Sequence, residues 1–525
     1  MSTSPERVLL RGGCVYSPAH PRPTAMLTVG DRVAWVGDDM GADAHLDSAD
    51  VVHELDGRLV TPGFVDAHVH LSKTGFALQA VDLGQATSVA DALDTLAAWA
   101  RTTDSAVLFA HGWDESGWPE PRPFTGAELD RATGNRMAYV SRVDAHSAVV
   151  SAALVEGAPA LPSLDGWLGD GIVERDAHHA ARVVVETMWS RADRERALLL
   201  ALRRAAEVGI TSVHEVNAPH IAPYDDAHLV DALRAAHPLP EVVGYWGALF
   251  GGDHADTTGC AGFAGDLCVD GALGSRTAAL NAPYSDADSG GHLYLDDARV
   301  RDHLVWCTER GIRAGFHVIG DRGVDAVMSG LRLAAEKVGV DAMVAARHRL
   351  EHVEMVSPSA IAVLSALNVV ASVQPAFDAA WGGPGGLYAQ RLGSARSQTM
   401  NPFASMHRAR VTLAFGSDSP VTRMDPWGAV RAAVHHHNPA EALSLRTAFA
   451  AHTQGGHRAR GADEAGLLVP GAAASYALWD VATTAAARRE TMSSGLPEIG
   501  AEDPGPACLR SVASGVVLYD GEDLS

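Results

Sequence analysis

The stretch Leu59-Val60-Thr61-Pro62-Gly63-Phe64-Val65-Asp66-Ala67-His68-Val69-His70 runs apolar and then closes on two histidines one residue apart. Alternate side chains of an extended strand share a face, so both imidazoles, with Asp66 below them, point the same way from the strand's C-terminal end. That placement suits a metal: imidazole is a borderline-soft ligand for zinc and its neighbours, and two chance histidines gain nothing from sharing a face of an apolar core. Taken alone, the pair reads equally well as two partly exposed histidines at a strand end.

Outward from this strand the texture changes on both sides. Residues 7–59 alternate short strands (8–10, 26–29, 32–36, 51–55) with turns at Gly30-Asp31, Gly37-Asp38 and Asp56-Gly57, and a similar pattern returns at 475–479 and 514–521. Neither end holds enough apolar strand to close a core, so the two are expected to pair into one small β-sandwich, residues 1–60 with 461–525. The centre, residues 61–460, alternates apolar strands with Ala/Leu/Arg-rich helical stretches at 194–207, 324–338 and 357–367. Strand–helix–strand repetition over that length demands parallel strands with crossover helices. Strands are expected at 64–70, 136–141, 210–215, 267–270, 313–317, 348–352, 369–374 and 413–418, with 107–111 and 242–245 also strand-like. Eight suits a closed (β/α)8 TIM barrel.

Several of these strands stop on a residue that can bind a metal: His317, His352 and Asp418 end theirs as His68 and His70 end the first. In a parallel barrel the C-terminal strand ends converge on one mouth, where barrel enzymes keep their chemistry. Four histidines and an aspartate meeting there make a metal site the reading to test.

Composition narrows the partners. A formal net charge of -23 over 525 residues opposes nucleic acid and anionic membrane surfaces, since both repel an acidic body. Hydrophobic content of 47% with 20% charged residues is that of an ordinary globular protein. The opening residues, Met1 to Arg7, lack a basic region leading into an apolar one, and no run approaches about 18 apolar residues. The expectation is a cytoplasmic protein acting on a small molecule, with a homodimer as the assembly the reading allows. The five cysteines (Cys14, Cys260, Cys268, Cys307 and Cys508) form no CxxC pair, which argues against a disulfide framework and a cysteine zinc knuckle.

The stretches Thr61 to His70, Asp270-Gly271-Ala272-Leu273-Gly274-Ser275-Arg276-Thr277-Ala278, His317-Val318-Ile319-Gly320-Asp321-Arg322, Arg347 to Glu354 and Gly416-Ser417-Asp418-Ser419-Pro420, in this order and spacing, resemble the amidohydrolase superfamily. Within it they resemble amidohydrolase family 3, the group that includes N-substituted formamide deformylase. The resemblance implies a distorted barrel with a composite sandwich and one or two divalent ions, zinc foremost. It also implies that His68 and His70 hold the more buried metal and that Asp418 is both ligand and proton acceptor. With two metals His317 and His352 would bind the second; with one, His317 would join the first and His352 would hydrogen-bond the attacking water. Near the C-terminus Gly466-Leu467-Leu468-Val469-Pro470-Gly471 also resembles the family, but the Lys-Ala-Asp that usually follows is replaced by Ala472-Ala473-Ala474-Ser475.

Of the 41 basic residues only Lys73 and Lys337 are lysines. Many members of the family bridge two metals with a carboxylated lysine four positions before the aspartate of the Asp-Gly motif, and that position here is Asp266. The alternatives are one metal, or a pair bridged by Asp266, Asp270, Cys268 or Glu215, the last at the end of the third expected strand. Aspartate is several bonds shorter than a carboxylated lysine, which weighs against a direct replacement.

The activity the resemblance implies is hydrolysis of a non-peptide C–N bond, of amide or formamide type, with Asp418 as base then acid and His352 assisting. A deaminase or cyclic amidase of the same superfamily, and a catalytically silent scaffold, are the alternatives; the scaffold predicts missing ligands. Trp113 and Trp118, in a Gly-rich loop, serve either as a pocket wall or as core. His146 of Asp144-Ala145-His146-Ser147 and Gln374 are further candidates for substrate contact. Arg276 and Arg322 suit a substrate carboxylate or a structural ion pair. The run His435-His436-His437 makes a poor metal site if helical, since consecutive helical positions do not share a face.

Overall fold

The structure is a computed structural model and describes residues 5–254, 260–481 and 495–521. Met1 to Ser4, part of the N-terminal stretch read above, lie outside the described residues. Eight parallel strands lie side by side in chain order: β1 (Phe64–Val69), β2 (Ile210–Asn217), β3 (Glu241–Trp246), β4 (Gly262–Phe263), β5 (Arg313–Val318), β6 (Arg349–His352), β7 (Val370–Val373) and β8 (Leu413–Phe415). Every residue of β1 and β2 is buried, as expected of parallel strands covered on both faces. The ring closes where the chain leaving β8 meets β1: the Asp418 amide donates to the His68 carbonyl at 2.8 Å and the His70 amide to the Ser419 carbonyl at 3.0 Å. Gly416 permits that approach, because a Cβ there would stand 2.5 Å from the His68 nitrogen.

The helices fall where the apolar periodicity puts them. Helix Arg191–Glu207 starts on a capping box of Ser190 and Asp193 and buries Ala197, Leu198, Ala201, Leu202 and Ala205, one stripe at helical spacing. Asp321–Val338 and Pro358–Ala366 likewise match the predicted stretches. Among the described residues no helix is long and apolar enough to cross a membrane.

Two of the expected barrel strands differ in the structure. The predicted strand at 136–141 is Ala138–Arg142, and it lies in a separate six-stranded sheet beside Leu108–Trp113. That sheet, built from residues 81–174 between β1 and β2, has its own core around Trp113, Trp118, Phe124 and Leu129. Its parallel pair of apolar strands reads in sequence like a barrel segment, so strand–helix alternation alone does not separate it from the barrel. Glu215 therefore lies on the second barrel strand rather than the third. The predicted strand at 267–270 is not a barrel strand either: β4 is the short Gly262–Phe263, and Gly265, at a φ of 90°, turns the chain so that only Cys268 makes a bridge, to His317.

The two chain ends do pair. Leu59–Pro62 runs antiparallel to Tyr476–Asp480 in a five-stranded sheet completed by Cys14–Val15, Ala507–Ala513 and Val516–Asp520. A second sheet holds Arg7–Arg11, Ala25–Val29, Arg32–Gly37 and Val51–Glu54. Leu10, Met26 and Val33 from one sheet pack with Val60, Leu478 and Val512 from the other.

Candidate metal centre

Strand alternation brings together the first two candidate ligands, His68 and His70: with Asp66 they share a face of β1 and its end, all buried. His317 ends the inward-facing set of β5 in the same way. His352 and Asp418 do not follow from alternation. Glu351 already occupies the inward position of β6, so its neighbour should point outward, yet His352 adopts a φ of 70° and Asp418 one of 52°. These left-handed turns rotate both side chains into the barrel mouth, a strain of about 1 kcal/mol or more each that the closed ring enforces.

The side chains converge tightly. His68 Nε2 and His70 Nε2 stand 3.3 and 3.1 Å from Asp418 Oδ1. Asp266 reaches the same pair, with Oδ2 3.2 Å from His70 Nε2 and Oδ1 3.6 Å from His68 Nε2. The same Asp266 Oδ1 is 3.7 Å from His317 Nδ1, and the His317 and His352 rings lie 4.5 Å apart. The donor atoms fall into overlapping groups: His68, His70 and Asp266; His68, His352 and Asp418; Asp266, His317 and His352.

Four of these buried atoms, His68 Nε2, Asp266 Oδ1, His317 Nδ1 and Asp418 Oδ1, have no hydrogen-bond partner. Buried polar atoms are rarely left so, and four facing one another fit a cation. Ligand atoms bonded to one tetrahedral zinc at about 2.0–2.1 Å stand about 3.3 Å from one another, close to the separations around Asp418 and Asp266. The donor set, imidazole and carboxylate without thiolate, is that of zinc and similar divalent ions.

Electrostatics agree. Burial disfavours charge on His68 and His70, but the carboxylates of Asp418 and Asp266, with Glu351 for His68, outweigh it: His68 rises well above the usual imidazole range and His70 to about 9. Burial likewise opposes ionisation of Asp418 and Asp266, yet the facing histidines hold both below the usual carboxylate range. Carboxylates held ionised inside a buried site favour positive charge beside them, on the imidazoles or on a cation among them.

Of the four bridging candidates only Asp266 has its carboxylate among the histidines. Asp270 is buried but turns away, accepting from the amides of Ala279, Ile319 and Gly320, and so shapes the loop after β5. Glu215 accepts from the Leu71 amide at 2.7 Å and fixes the start of the helix after His70. Cys268 lines the cavity beside the centre, with its thiol toward the Asp266 carbonyl.

The substrate candidates scatter. Trp113 and Trp118 are core of the six-stranded sheet, their indole nitrogens bonded to the Val140 and Ala86 carbonyls. Arg276 pairs with Asp286 at 2.8 Å, and Arg322 lies exposed. His146 does face the cavity, its ring 5.1 Å from that of His317. Gln374 orients His352: its Oε1 stands 2.7 Å from His352 Nδ1, which leaves Nε2 facing the other candidate ligands. His436 and His437 follow the helix Pro426–Val434 and gather with Asp378. Their ring nitrogens are taken by the Asn401, Asn438 and Ser397 carbonyls and by Asp378, so the group is a hydrogen-bonded clamp.

Sequence reasoning missed Glu351, whose Oε2 stands 2.9 Å from His68 Nδ1, and its partner Arg349 at 2.6 Å. Their spacing of two on an inward strand was the available signal. It also missed the helix Arg175–Thr187, which brings His179, Arg182 and Glu186 into a cavity shared with His70, Asp266, His317 and Asp418.

Comparison with known proteins places this geometry. The model of the Amidohydrolase family matches residues 51–519. The chain is similar to the putative amidohydrolase YtcJ of Bacillus subtilis, 26% identical over 76% of this chain and 80% of that protein. It is similar to the N-substituted formamide deformylase of Arthrobacter pascens, 24% identical over 84% of this chain and 88% of that protein. Among solved structures it resembles an uncharacterized metal-dependent hydrolase from Pyrococcus horikoshii, with a TM-score of 0.71, 25% identity and coverage of 90% of this chain and 97% of that one.

Proposed function

The chain belongs to the Amidohydrolase family, and from that premise we propose that it hydrolyses a non-peptide amide or formamide bond at a centre of two divalent ions, zinc foremost. His68, His70 and Asp418 would hold one ion, His317 and His352 the other, and Asp266 both. The observation that carries this reading is the position of Asp266 Oδ1, 3.6 Å from His68 Nε2 and 3.7 Å from His317 Nδ1 and without a hydrogen-bond partner. Similarity to the formamide deformylase supports the amide class.

Metal at such a centre supplies a water ionised near neutral pH and polarises the carbonyl under attack. The rest falls to side chains. Asp418, kept ionised by the facing histidines, takes the proton of the attacking water and delivers it to the departing nitrogen. His352, oriented by Gln374 through Nδ1, would offer Nε2 either to the metal it helps to hold or as a hydrogen-bond partner of the attacking water. Glu351 fixes the His68 tautomer, with Nδ1 bonded outward and Nε2 inward.

The test is metal analysis joined to a panel of N-formyl and N-acyl amines, cyclic amides and amidines. Two equivalents of metal and turnover of an amide are expected. Asp418→Asn should keep fold and metal while kcat falls about 10²–10⁴-fold. Near-normal turnover in that variant, or a protein that takes up no metal, would overturn the reading.

A further inference from the structure

The cavity in front of the metal centre is roofed by a helix outside the barrel. Helix Arg175–Thr187 follows the inserted sheet, and His179, Arg182 and Glu186, with Trp189 beyond its end, line the cavity at spacings of three and four residues. One helical stripe therefore looks at the reacting groups.

Arg182 is the anomaly on that stripe. The three most buried arginines of the described chain, Arg142, Arg349 and Arg391, each lie against carboxylates. Among the described residues the Arg182 guanidinium meets no carboxylate within 4.0 Å and makes one hydrogen bond, from Nη2 to the Ala145 carbonyl. The nearby acids are committed elsewhere: Glu186, one turn on, to Lys73; Asp144 to Arg142; Asp266 to the metal-centre histidines. In a chain with 64 acidic residues, a cavity-lining guanidinium without one is conspicuous.

The other polar groups around it carry no compensating charge. His146, His179 and His220 line the same cavity, and an imidazole is neutral or cationic, never an anion that could answer a guanidinium. Lys73 and Arg142 line the same cavity but are paired with Glu186 and with Asp114, Glu115 and Asp144, so what remains is one guanidinium with most of its five-donor fork free, which matches a planar monoanion better than a dianionic phosphate. Phe109, Tyr139 and Trp189 line the same cavity and suit an apolar spacer between that anion and the scissile bond.

We propose that Arg182 is a specificity residue that binds a carboxylate on the substrate, making the preferred substrates N-acyl or N-formyl amines that carry a carboxylate on an apolar, aromatic-sized spacer. This rests on the hydrolase reading above. It sets the substrate class through a residue of the inserted unit rather than of the barrel.

The probes are N-benzylformamide and 4-(formamidomethyl)benzoate, identical except for the carboxylate, assayed with metal-loaded wild type, Arg182→Met and Arg182→Lys. Wild type should prefer the carboxylated compound at least tenfold in kcat/KM. R182M should lose about 10–100-fold on it, chiefly in KM, while handling the neutral compound as wild type does. R182K should recover part of the loss, which a merely structural arginine would not show. Equal use of both compounds by wild type, or an equal fall on both in R182M, overturns the proposal. If neither compound is hydrolysed, the reaction assigned above fails, but calorimetry still decides this inference. Binding of the carboxylated compound to wild type and not to R182M upholds it, and equal binding to both overturns it.

Discussion

Replacing Glu351 by Gln keeps shape and removes one charge from the most buried ion pair at the metal centre. Glu351 and Arg349 have no exposed side-chain surface, and Arg349 Nε and Nη2 reach the carboxylate at 2.6 and 2.9 Å. Breaking such a pair strands a buried charge, typically at about 3–5 kcal/mol. Arg349 retains neutral acceptors in the Ala67 carbonyl, 2.7 Å, and Ser372 Oγ, 3.0 Å, so the lower end applies. The carboxyl itself gives a matching figure. Burial would raise it, but Arg349 and His68 hold it from 4.5 down to about 2, worth about 3 kcal/mol. With about 2.1 cal/mol/K of unfolding entropy per residue, a chain of 525 residues should lose about 3 °C in Tm. The second consequence is at His68. Its Nδ1 loses a charged acceptor 2.9 Å away, and weakened support of this kind costs about 10–100-fold in metal affinity. Differential scanning calorimetry of the metal-free proteins and chelator-buffered metal titration read the two effects separately. A depressed carboxyl contributes stability above its unfolded value and loses it as pH falls toward the folded one, so the difference between wild type and Glu351→Gln should be full above about pH 4.5 and fade toward pH 2. Unchanged Tm and unchanged metal affinity together would refute the role given to this pair.

Asp266→Ala removes the carboxylate that stands toward His68, His70 and His317 together; elemental analysis after dialysis should show metal content falling from two equivalents to one or fewer, and a full two would hand the bridge to another residue. Trp118→Ala should cost about 3–5 kcal/mol in denaturant unfolding, because the ring is buried in the inserted sheet's core and its Nε1 bonds the Ala86 carbonyl. Its KM for N-benzylformamide should stay at the wild-type value, and a raised KM without loss of stability would restore the pocket-wall reading.

What the sequence made legible follows alternation and ring closure. Asp66, His68 and His70 could be put on one face from spacing alone, and convergence of parallel strand ends drew His317 toward them. His352 and Asp418 were named from their places at strand ends, but their side chains reach the mouth only through left-handed turns, which no periodicity announces. The inserted sheet escaped because Leu108–Trp113 and Ala138–Arg142 pair in parallel, as barrel strands do, and only three-dimensional pairing separates them from β1 and β2. Trp113 and Trp118 were ambiguous for the reason aromatic residues usually are: the area that lets them wall a pocket also lets them fill a core.

Asp266 shows how backbone geometry can replace side-chain length. A carboxylated lysine carries its oxygens at the end of a long chain from a regular strand, and by that measure aspartate falls short. Here the fourth strand is only Gly262–Phe263, and Gly265, at a φ of 90°, takes the chain out of the sheet before position 266. Val216 packs so closely on Gly265 that a Cβ there would stand 2.8 Å from its side chain, so the bend needs glycine. The main chain is then held beside β5 by the His317 amide, which donates to the Leu267 carbonyl at 3.1 Å, and by the Val269 amide, which donates to the His317 carbonyl at 2.9 Å. Past this bend a short carboxylate stands between His70 and His317, 3.2 Å from the one and 3.7 Å from the other. Aspartate at 266 and the short fourth strand are thus two parts of one arrangement: a lysine placed at 266 without straightening 262–267 would carry its side chain past the histidines rather than between them.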